Sequence, residues 1–280
     1  GIMTAVGLSA LLEFFDSSIK TVDDLEKLGL SVLAIIPSID NKTKFLNKKI
    51  DRTLILKEDP KSPISESYRT LRTSIMYSDT KKIKTIMVSS PGPGEGKTTT
   101  VANLAITYAN LGKKILLIDT DLRKPVIDKI FDIKKEPGLT NYIVDDLKLD
   151  DIINSTEVKG LDVISSGIIP PNPSELLTSN KMQKLIEELK GIYDIILFDT
   201  PPIIAVTDAL ILSKFMDRFV LVCRSTVTQK GALDRVIKNL NQVNSNLDGV
   251  VLNALNNSNS YGSGYYYNYY QYYYGNDSKG

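Results

Sequence analysis

The chain has 280 residues, which is long enough for one large α/β domain. Its 34 basic and 33 acidic side chains nearly balance, so it has no strong electrostatic field that would attract nucleic acid. Cys223 is the one cysteine, which excludes an intrachain disulfide and a cysteine-based metal site and suits a reducing compartment. Histidine is absent, so a carboxylate, a lysine or the phosphate itself must abstract any proton.

The first fifteen residues include an almost wholly apolar stretch, residues 2–15. It is shorter than the roughly 20 residues of a membrane-spanning helix, and it lacks the basic start and cleavage site of a signal peptide. Two interpretations follow, the cytoplasmic end of a truncated transmembrane helix or a helix docked on a partner. The start at Gly1 favours a fragment. A helix capped by Thr21 and a strand over residues 30–37 are predicted next.

A basic, non-periodic segment covers residues 41–57, with six basic residues against Asp51. One interpretation is a solvated linker, and a compatible one is a patch for anionic lipid, worth about 1 kcal/mol per basic residue. The globular domain is predicted to begin near Pro60. Its first helix, over residues 65–77, is amphipathic and carries Glu66, Arg69 and Arg72 at spacings typical of a salt-bridged surface.

A strand, a glycine-rich turn and a helix are predicted in succession over residues 85–89, 90–98 and 99–111. This order is the context of a phosphate-binding loop, in which glycines let backbone N–H groups converge on phosphate oxygens. The helix adds its positive N-terminal end. The usual first glycine falls at Pro91, so the strict pattern is not met. The candidate nucleotide contacts are Pro93, Gly94, Glu95, Gly96, Lys97, Thr98 and Thr99.

Two side chains of this loop have expected roles. Lys97 can neutralise the β- and γ-phosphates of a nucleotide, and the hydroxyl of Thr98 can bind Mg²⁺.

Apolar strands then alternate with helical segments. Strands are predicted over residues 114–119, 161–165, 193–199, 218–224 and 248–255, and helices over 180–190, 208–215 and 230–243. This alternation predicts an α/β fold with a mostly parallel, doubly wound sheet covered by helices on both faces.

Three aspartates lie at the ends of two of the predicted strands. Asp119 and Asp121 come after residues 115–118, and Asp199 comes after residues 195–198. Because the carboxyl ends of parallel strands face the ligand crevice, all three should lie near the phosphate loop. Asp199 is typical of the aspartate that holds Mg²⁺ through water in P-loop ATPases.

The composition changes from Asn256 onward, where Asn, Ser, Gly and Tyr replace aliphatic residues. Such a segment cannot build a core and is predicted to be a flexible tail. It holds nine of the fourteen tyrosines: Tyr261, Tyr265, Tyr266, Tyr267, Tyr269, Tyr270, Tyr272, Tyr273 and Tyr274.

These features together resemble the bacterial tyrosine kinases, P-loop proteins that partner polysaccharide co-polymerases in capsule and exopolysaccharide export. The resemblance covers roughly residues 60–274 and includes the loop, the Asp119-Thr-Asp121-Leu-Arg segment, the Asp199-Thr-Pro-Pro segment and the tyrosine-rich end. It implies autophosphorylation with ATP and Mg²⁺, with Lys97 on the phosphates and Asp121 as a candidate base for the tyrosine hydroxyl. It places Thr98, Asp119 and Asp199 around the metal.

The same resemblance implies partners. The nine tail tyrosines would be phosphorylated in a neighbouring subunit of a closed ring, and Glu66, Arg69 and Arg72 resemble the family's subunit-contact motif. Each phosphate adds about −1.5 to −2 charge, so phosphorylation should release the tail and loosen the ring. A tyrosine phosphatase would reverse the modification.

Residues 1–37 resemble the cytoplasmic end of the family's transmembrane adaptor, the chain-length determinant. This implies a natural fragment or an engineered fusion at the cytoplasmic face of the membrane. The expected segments are 1–40 adaptor-like, 41–59 basic linker, 60–256 kinase domain and 257–280 tyrosine tail.

Two rival functions stay open. A partition- or septum-type ATPase shares the fold and the order of motifs. However, this chain has Gly92 where those ATPases have an extra lysine, and the hypothesis leaves the tyrosine tail unexplained. A nucleotide-bound scaffold without enzymatic activity is the other. Iron-protein relatives need paired cysteines, and Cys223 is alone.

Overall fold

The computed structural model describes residues 16–38, 54–77, 82–145 and 147–255. The apolar N-terminal stretch, most of the basic segment and the whole tyrosine cluster lie outside the described residues. The predictions for those parts therefore stay predictions.

Eight strands of the described chain form one sheet in the order β1-β8-β7-β2-β6-β3-β5-β4. All neighbouring pairs are parallel except β4 and β5. The strands are β1 Val32–Pro37, β2 Thr85–Ser89, β3 Ile115–Asp119, β4 Ile153–Ser155, β5 Leu161–Ile164, β6 Ile195–Asp199, β7 Arg218–Arg224 and β8 Gly249–Leu255. The predicted, mostly parallel sheet is confirmed. The short antiparallel edge strand β4 was not predicted from the sequence.

Helices cover both faces of this sheet. They are α1 Val22–Glu26, α2 Ile55–Glu58, α3 Pro63–Tyr77, α4 Lys97–Ala109, α5 Ile127–Ile130, α6 Leu139–Val144, α7 Pro173–Thr178, α8 Asn180–Ile192, α9 Asp208–Ser213 and α10 Lys230–Gln242. The inner strands are apolar on both sides, and every residue of β2 and β3 is buried. Such two-sided burial is typical of parallel strands between helix layers.

Each face has its own hydrophobic core. One core joins the sheet to α2, α3 and α4, with Leu56, Leu71 and Leu104 among its buried side chains. The other joins the opposite face to α6 through α10 and includes Leu185 and Val236. The doubly wound arrangement expected from the sequence is therefore the observed one.

The N-terminal segment, residues 16–37, is part of this body. Thr21 caps α1 by accepting a hydrogen bond from the Asp24 N–H, and Ile19 and Leu25 are fully buried. Strand β1 extends the sheet by pairing with β8. The segment thus packs on the rest of the domain, with which it shares a core.

The end of the predicted basic linker also packs against the domain. Leu54, Ile55 and Leu56 are buried, and the Leu56 N–H donates to Asn103 Oδ1 at 3.2 Å. These residues differ from a solvated linker because they are apolar and lie against α4. The division into four segments stays a prediction.

No helix within the described ranges combines the length and the apolar character that crossing a membrane requires.

Candidate functional site

The site lies at the carboxyl edge of the sheet, where β2, β3 and β6 end. Val88 and Asp119 both pair with Asp199, so the ends of these three strands are level. Strand β2 continues into residues 90–96, the phosphate loop, and α4 begins directly after it at Lys97. The sequence predicted that this helix begins at Thr99, two residues after its observed start. The earlier start puts Lys97 and Thr98 in the first turn, at the positive end of the helix dipole.

Two glycines shape the phosphate loop. Gly94 has φ +75° and Gly96 has φ +97°, values in the left-handed region that side chains rarely adopt. A β-carbon on Gly96 would overlap with Nδ2 of Asn253. Only glycine therefore fits at the position just before α4.

Lys97 is the centre of the charged cluster. Its Nζ lies 2.8 Å from Asp121 Oδ2 and 3.5 Å from Asp199 Oδ1. Burial alone would lower the pKa of Lys97, but the carboxylates of Asp199 and Asp121 outweigh it and raise that pKa above its ordinary value. Lys97 is therefore a fixed positive charge at the entrance of the helix, suited to phosphate oxygens.

Asp199 and Thr98 meet beside this lysine. The Thr98 hydroxyl donates to Asp199 Oδ2 at 2.7 Å. Asp199 is fully buried, its Oδ1 has no hydrogen-bond partner, and burial raises its pKa. A buried carboxylate oxygen that accepts no hydrogen bond and lies next to a hydroxyl fits Mg²⁺. This ion takes one or two protein oxygens and completes its coordination shell with water and phosphate oxygens.

Asp119 and Asp121 have different surroundings. The Asp119 carboxylate accepts backbone N–H groups of Asp121, Val126 and Ile127 at 3.1 to 3.2 Å, and burial raises its pKa well above the ordinary range. Asp121 instead turns one oxygen to Lys97 and accepts the Lys124 N–H with the other. Asp119 thus organises the loop after β3, while Asp121 faces the cluster.

An adjoining ion pair fixes the same loop from outside. Arg123 donates to Asp208 through Nε at 2.9 Å and Nη2 at 3.3 Å. Asp208 is fully buried and also accepts the Ser174 hydroxyl. The loop after β3 is therefore tied to α7 and α9. The sequence pattern included Arg123 as part of the family motif, but it did not indicate that Asp208 and Ser174 are its neighbours.

The phosphate loop has three further contacts that sequence reasoning missed. Arg224 Nη1 donates to the Gly94 carbonyl at 3.0 Å, and Asn253 Nδ2 donates to the Glu95 carbonyl at 2.8 Å. The Thr228 hydroxyl donates to Glu95 Oε1 at 2.8 Å. Arg224 lies at the carboxyl end of β7 and Asn253 near that of β8, so the rule that located the aspartates applies to their positions as well.

The predicted subunit-contact motif lies on α3. Glu66 pairs with Arg69 at 2.7 Å, and Arg72 Nη1 donates to the Thr107 carbonyl at 2.8 Å. These contacts are within one chain, so the interface role stays a prediction. The predicted tyrosine acceptors lie outside the described residues.

Glu95 is the buried acid of the phosphate loop. The residue is 3% exposed, and Oε2 has no hydrogen-bond partner. Burial raises the pKa of Glu95 from 4.5 to about 7, against the opposing hydrogen bonds from Thr228 and the Gly92 N–H. The folded chain therefore holds a proton on Glu95 at pH values where the unfolded chain has lost it.

The contribution of Glu95 to stability should consequently fall as pH rises from 4.5 to 7 and level off above it, because the folded state binds this extra proton in that window. Glu95→Gln keeps the size and an acceptor for Thr228 but cannot ionise. We expect the variant to match the wild type near pH 5 and to exceed it by about 2 kcal/mol at pH 8. Urea unfolding at both pH values measures the difference, and an equal difference at pH 5 and 8 would contradict it.

This geometry defines a P-loop nucleotide-binding α/β domain. Residues 83–252 match an AAA domain family, AAA_31. The tyrosine-protein kinase YwqD of Bacillus subtilis is 42% identical over 219 residues, which cover 78% of this chain and 92% of YwqD. A putative tyrosine-protein kinase in the cps region of Klebsiella pneumoniae is 35% identical over 91% of this chain. This chain spans only 37% of that longer relative.

Solved structures similar to this chain point to the same family. The chimerical protein CapA2B2 is 39% identical, with a TM-score of 0.76 over 83% of this chain and 98% of that one. The septum site-determining protein MinD of Pyrococcus horikoshii, at 24% identity and a TM-score of 0.52, shares the fold alone. The chain belongs to the bacterial tyrosine-protein kinases and is an enzyme of that class.

Proposed function

We propose that this chain transfers the γ-phosphate of ATP to the tyrosine cluster at residues 261–274 of a neighbouring copy of itself. The observation that carries the proposal is the cluster of Lys97, Thr98, Asp121 and Asp199 directly after the phosphate loop. It combines a positive charge for phosphate, oxygen ligands for a metal and a carboxylate for a proton. Phosphoryl transfer needs these three elements.

The side chains would act in sequence. Lys97 leaves its carboxylate partners for the phosphates and offsets the charge that develops on the transferred group. Asp121 Oδ2, which now accepts from Lys97, is then free to accept the proton of the tyrosine hydroxyl. A free phenol has a pKa near 10, so a carboxylate that orients and deprotonates it should matter.

Thr98 and Asp199 are the residues that would hold Mg²⁺. The metal would supply charge neutralisation for the phosphates when bound. Asp119 is less suited as a direct ligand, because both of its oxygens already accept backbone N–H groups. We assign it to holding the loop that carries Asp121.

The tail has the reach that acceptor delivery requires. Strand β8 ends at Leu255 on the same edge of the sheet as the site, four strands from β3. At about 4.8 Å per strand this separation is about 19 Å. Nineteen residues lead from Leu255 to Tyr274, and at about 3.4 Å each they could span about 65 Å. That span is long enough for the site of an adjacent subunit.

The partners follow from the same proposal. We propose a ring of subunits with Glu66, Arg69 and Arg72 at the contact, and an adaptor that holds the ring at the cytoplasmic face of the membrane. Phosphates on the tail repel one another and an acidic site, so phosphorylation would loosen the ring until a tyrosine phosphatase removes them. In the cell this cycle would regulate capsule or exopolysaccharide synthesis and export.

Incubation with γ-labelled ATP and Mg²⁺, followed by phosphosite mapping, tests the proposal. We expect label on tyrosines of residues 261–274. Free labelled phosphate without labelled tyrosine would instead support a partition- or septum-type ATPase. Bound nucleotide with neither product would support a scaffold without enzymatic activity.

A further inference from the structure

Two neighbouring carbonyl groups of the phosphate loop are held from one side. Arg224 donates to the carbonyl of Gly94, and Asn253 donates to the carbonyl of Glu95. Both donors belong to the adjacent strands β7 and β8. Two consecutive peptide groups therefore have their oxygens directed toward the same neighbours.

The direction of each carbonyl fixes the direction of an N–H group. In a planar trans peptide the C=O and N–H bonds point in opposite directions, and neither peptide is cis. The Gly94 carbonyl shares its peptide with the N–H of Glu95, and the Glu95 carbonyl shares its peptide with the N–H of Gly96. Holding these oxygens toward β7 and β8 turns both N–H groups to the opposite side.

We propose that Arg224 and Asn253 are positioning residues that aim the N–H groups of Glu95 and Gly96 at the phosphates of the nucleotide. Neither side chain needs to touch the nucleotide for this role. Consecutive N–H groups on one side form an anion-binding concavity, and the left-handed glycines at 94 and 96 produce its curvature. The inference rests on the proposed ATP site.

The surroundings of Asn253 hold its amide in the orientation that this role requires. Asn253 Oδ1 accepts the N–H of Ala254 at 2.8 Å, so Nδ2 is the atom that faces the loop. The Asn253 carbonyl accepts the N–H of Ser225 at 2.9 Å, which fixes the main chain. The amide also fills the space beside Gly96 where a β-carbon would be.

Glu95 provides a third tether on the same side. Its carboxyl accepts the Thr228 hydroxyl, and Thr228 belongs to the turn that follows Arg224. The loop is thus attached to the β7–β8 side by two main-chain oxygens and one side chain. Release of one attachment should tilt its peptide rather than unfold the domain.

Measurements on full-length variants test the inference. Asn253→Ala removes the donor, and Asn253→Asp keeps the shape and the acceptor for Ala254 but cannot donate. We expect either variant to weaken binding of ATP and of inorganic pyrophosphate about tenfold, with a smaller effect from Arg224→Gln. The N–H groups bind phosphate before and during the reaction, so KM should rise while kcat stays within about twofold.

Matched controls lie on the exposed surface of α10. Asn241→Ala, Asn241→Asp and Arg235→Gln make the same chemical changes away from the loop and should leave both affinities unchanged. Thermal unfolding identifies any variant that does not fold. If Asn253→Ala fails to fold, the affinities of Asn253→Asp and Arg224→Gln for ATP and pyrophosphate test the inference instead.

Pyrophosphate affinity equal to wild type in the folded Asn253 variants would overturn the inference, and so would a fall in kcat at unchanged KM. A failure of the proposed function has a different signature. In that case the wild type would bind ATP and pyrophosphate but would label no tyrosine, and the effect of Asn253 on pyrophosphate would persist.

Discussion

Lys97→Met should lower tyrosine phosphorylation about 10³-fold or more, to the limit of detection. The lysine is the one side-chain cation that the structure places between Asp121 and Asp199 within the described part of the chain. Removal of a preorganised charge that stabilises a transition state typically costs about 10²- to 10³-fold in kcat, and weaker nucleotide binding adds to this loss. Methionine keeps most of the length and none of the charge.

The measurement is phosphotyrosine formation with ATP and Mg²⁺, together with nucleotide affinity. Lys238→Met is the matched control, because Lys238 lies exposed on α10, far along the chain from the loop. Its rate should equal that of the wild type. Tyrosine label that persists in Lys97→Met would refute the assignment of the site.

The same variant should respond to pH in a way that identifies the cluster. Without Lys97, the carboxylates of Asp121 and Asp199 lose their nearest cation, and Asp199 is fully buried. A buried carboxyl without a partner takes up a proton rather than staying charged. The variant should therefore lose more stability at neutral pH than near pH 4, where the carboxyl is protonated in the folded and the unfolded chain, and this difference separates a lost charge pair from a general packing defect.

Much of the site could be predicted because it follows from one rule of sheet geometry. Polar residues at the ends of parallel strands meet at one edge, and Asp119, Asp121 and Asp199 do so. Arg224 and Asn253 satisfy the same rule, but an arginine and an asparagine near strand ends also occur as surface caps. Their contacts with residues 94 and 95 connect positions more than 100 residues apart, which no local pattern contains.

Other features were hidden for different physical reasons. The helix after the phosphate loop starts at Lys97 because Gly96 adopts a left-handed conformation, whereas threonines at 98 and 99 look like ordinary N-caps. Strand β1 was recognised from its apolar run, but hydrophobicity indicates burial and not the pairing partner β8. Helix α2 was missed because its apolar residues follow a run of lysines.

The second large effect concerns where the phosphate goes. Two full-length variants that cannot phosphorylate themselves, each for a different reason, should produce labelled tyrosine when they are mixed. One is Lys97→Met, which keeps the tail but lacks the phosphate lysine. The other keeps the site and has phenylalanine in place of the nine tail tyrosines at 261, 265, 266, 267, 269, 270, 272, 273 and 274.

Each chain alone should give background label, and the mixture should place label on the tail of the Lys97→Met chain alone. The test is needed because the length of the tail permits transfer within one chain as well as between chains. Leu255 lies only four strands from β3, about 19 Å at about 4.8 Å per strand, which six extended residues can cross. Reach alone therefore does not select the acceptor, and the arrangement of subunits must do so.

Mass spectrometry of the mixture identifies the labelled chain, since the two differ in mass. A mixture that stays unlabelled while the wild type labels itself at a rate independent of dilution would establish transfer within one chain. Under the proposed ring, the rate per wild-type chain should instead fall on dilution below the assembly concentration. Glu66→Ala with Arg69→Ala should then reduce labelling in the mixture and leave nucleotide affinity intact, because these half-buried side chains pair with each other on α3, and Arg69 also donates to the Pro60 carbonyl.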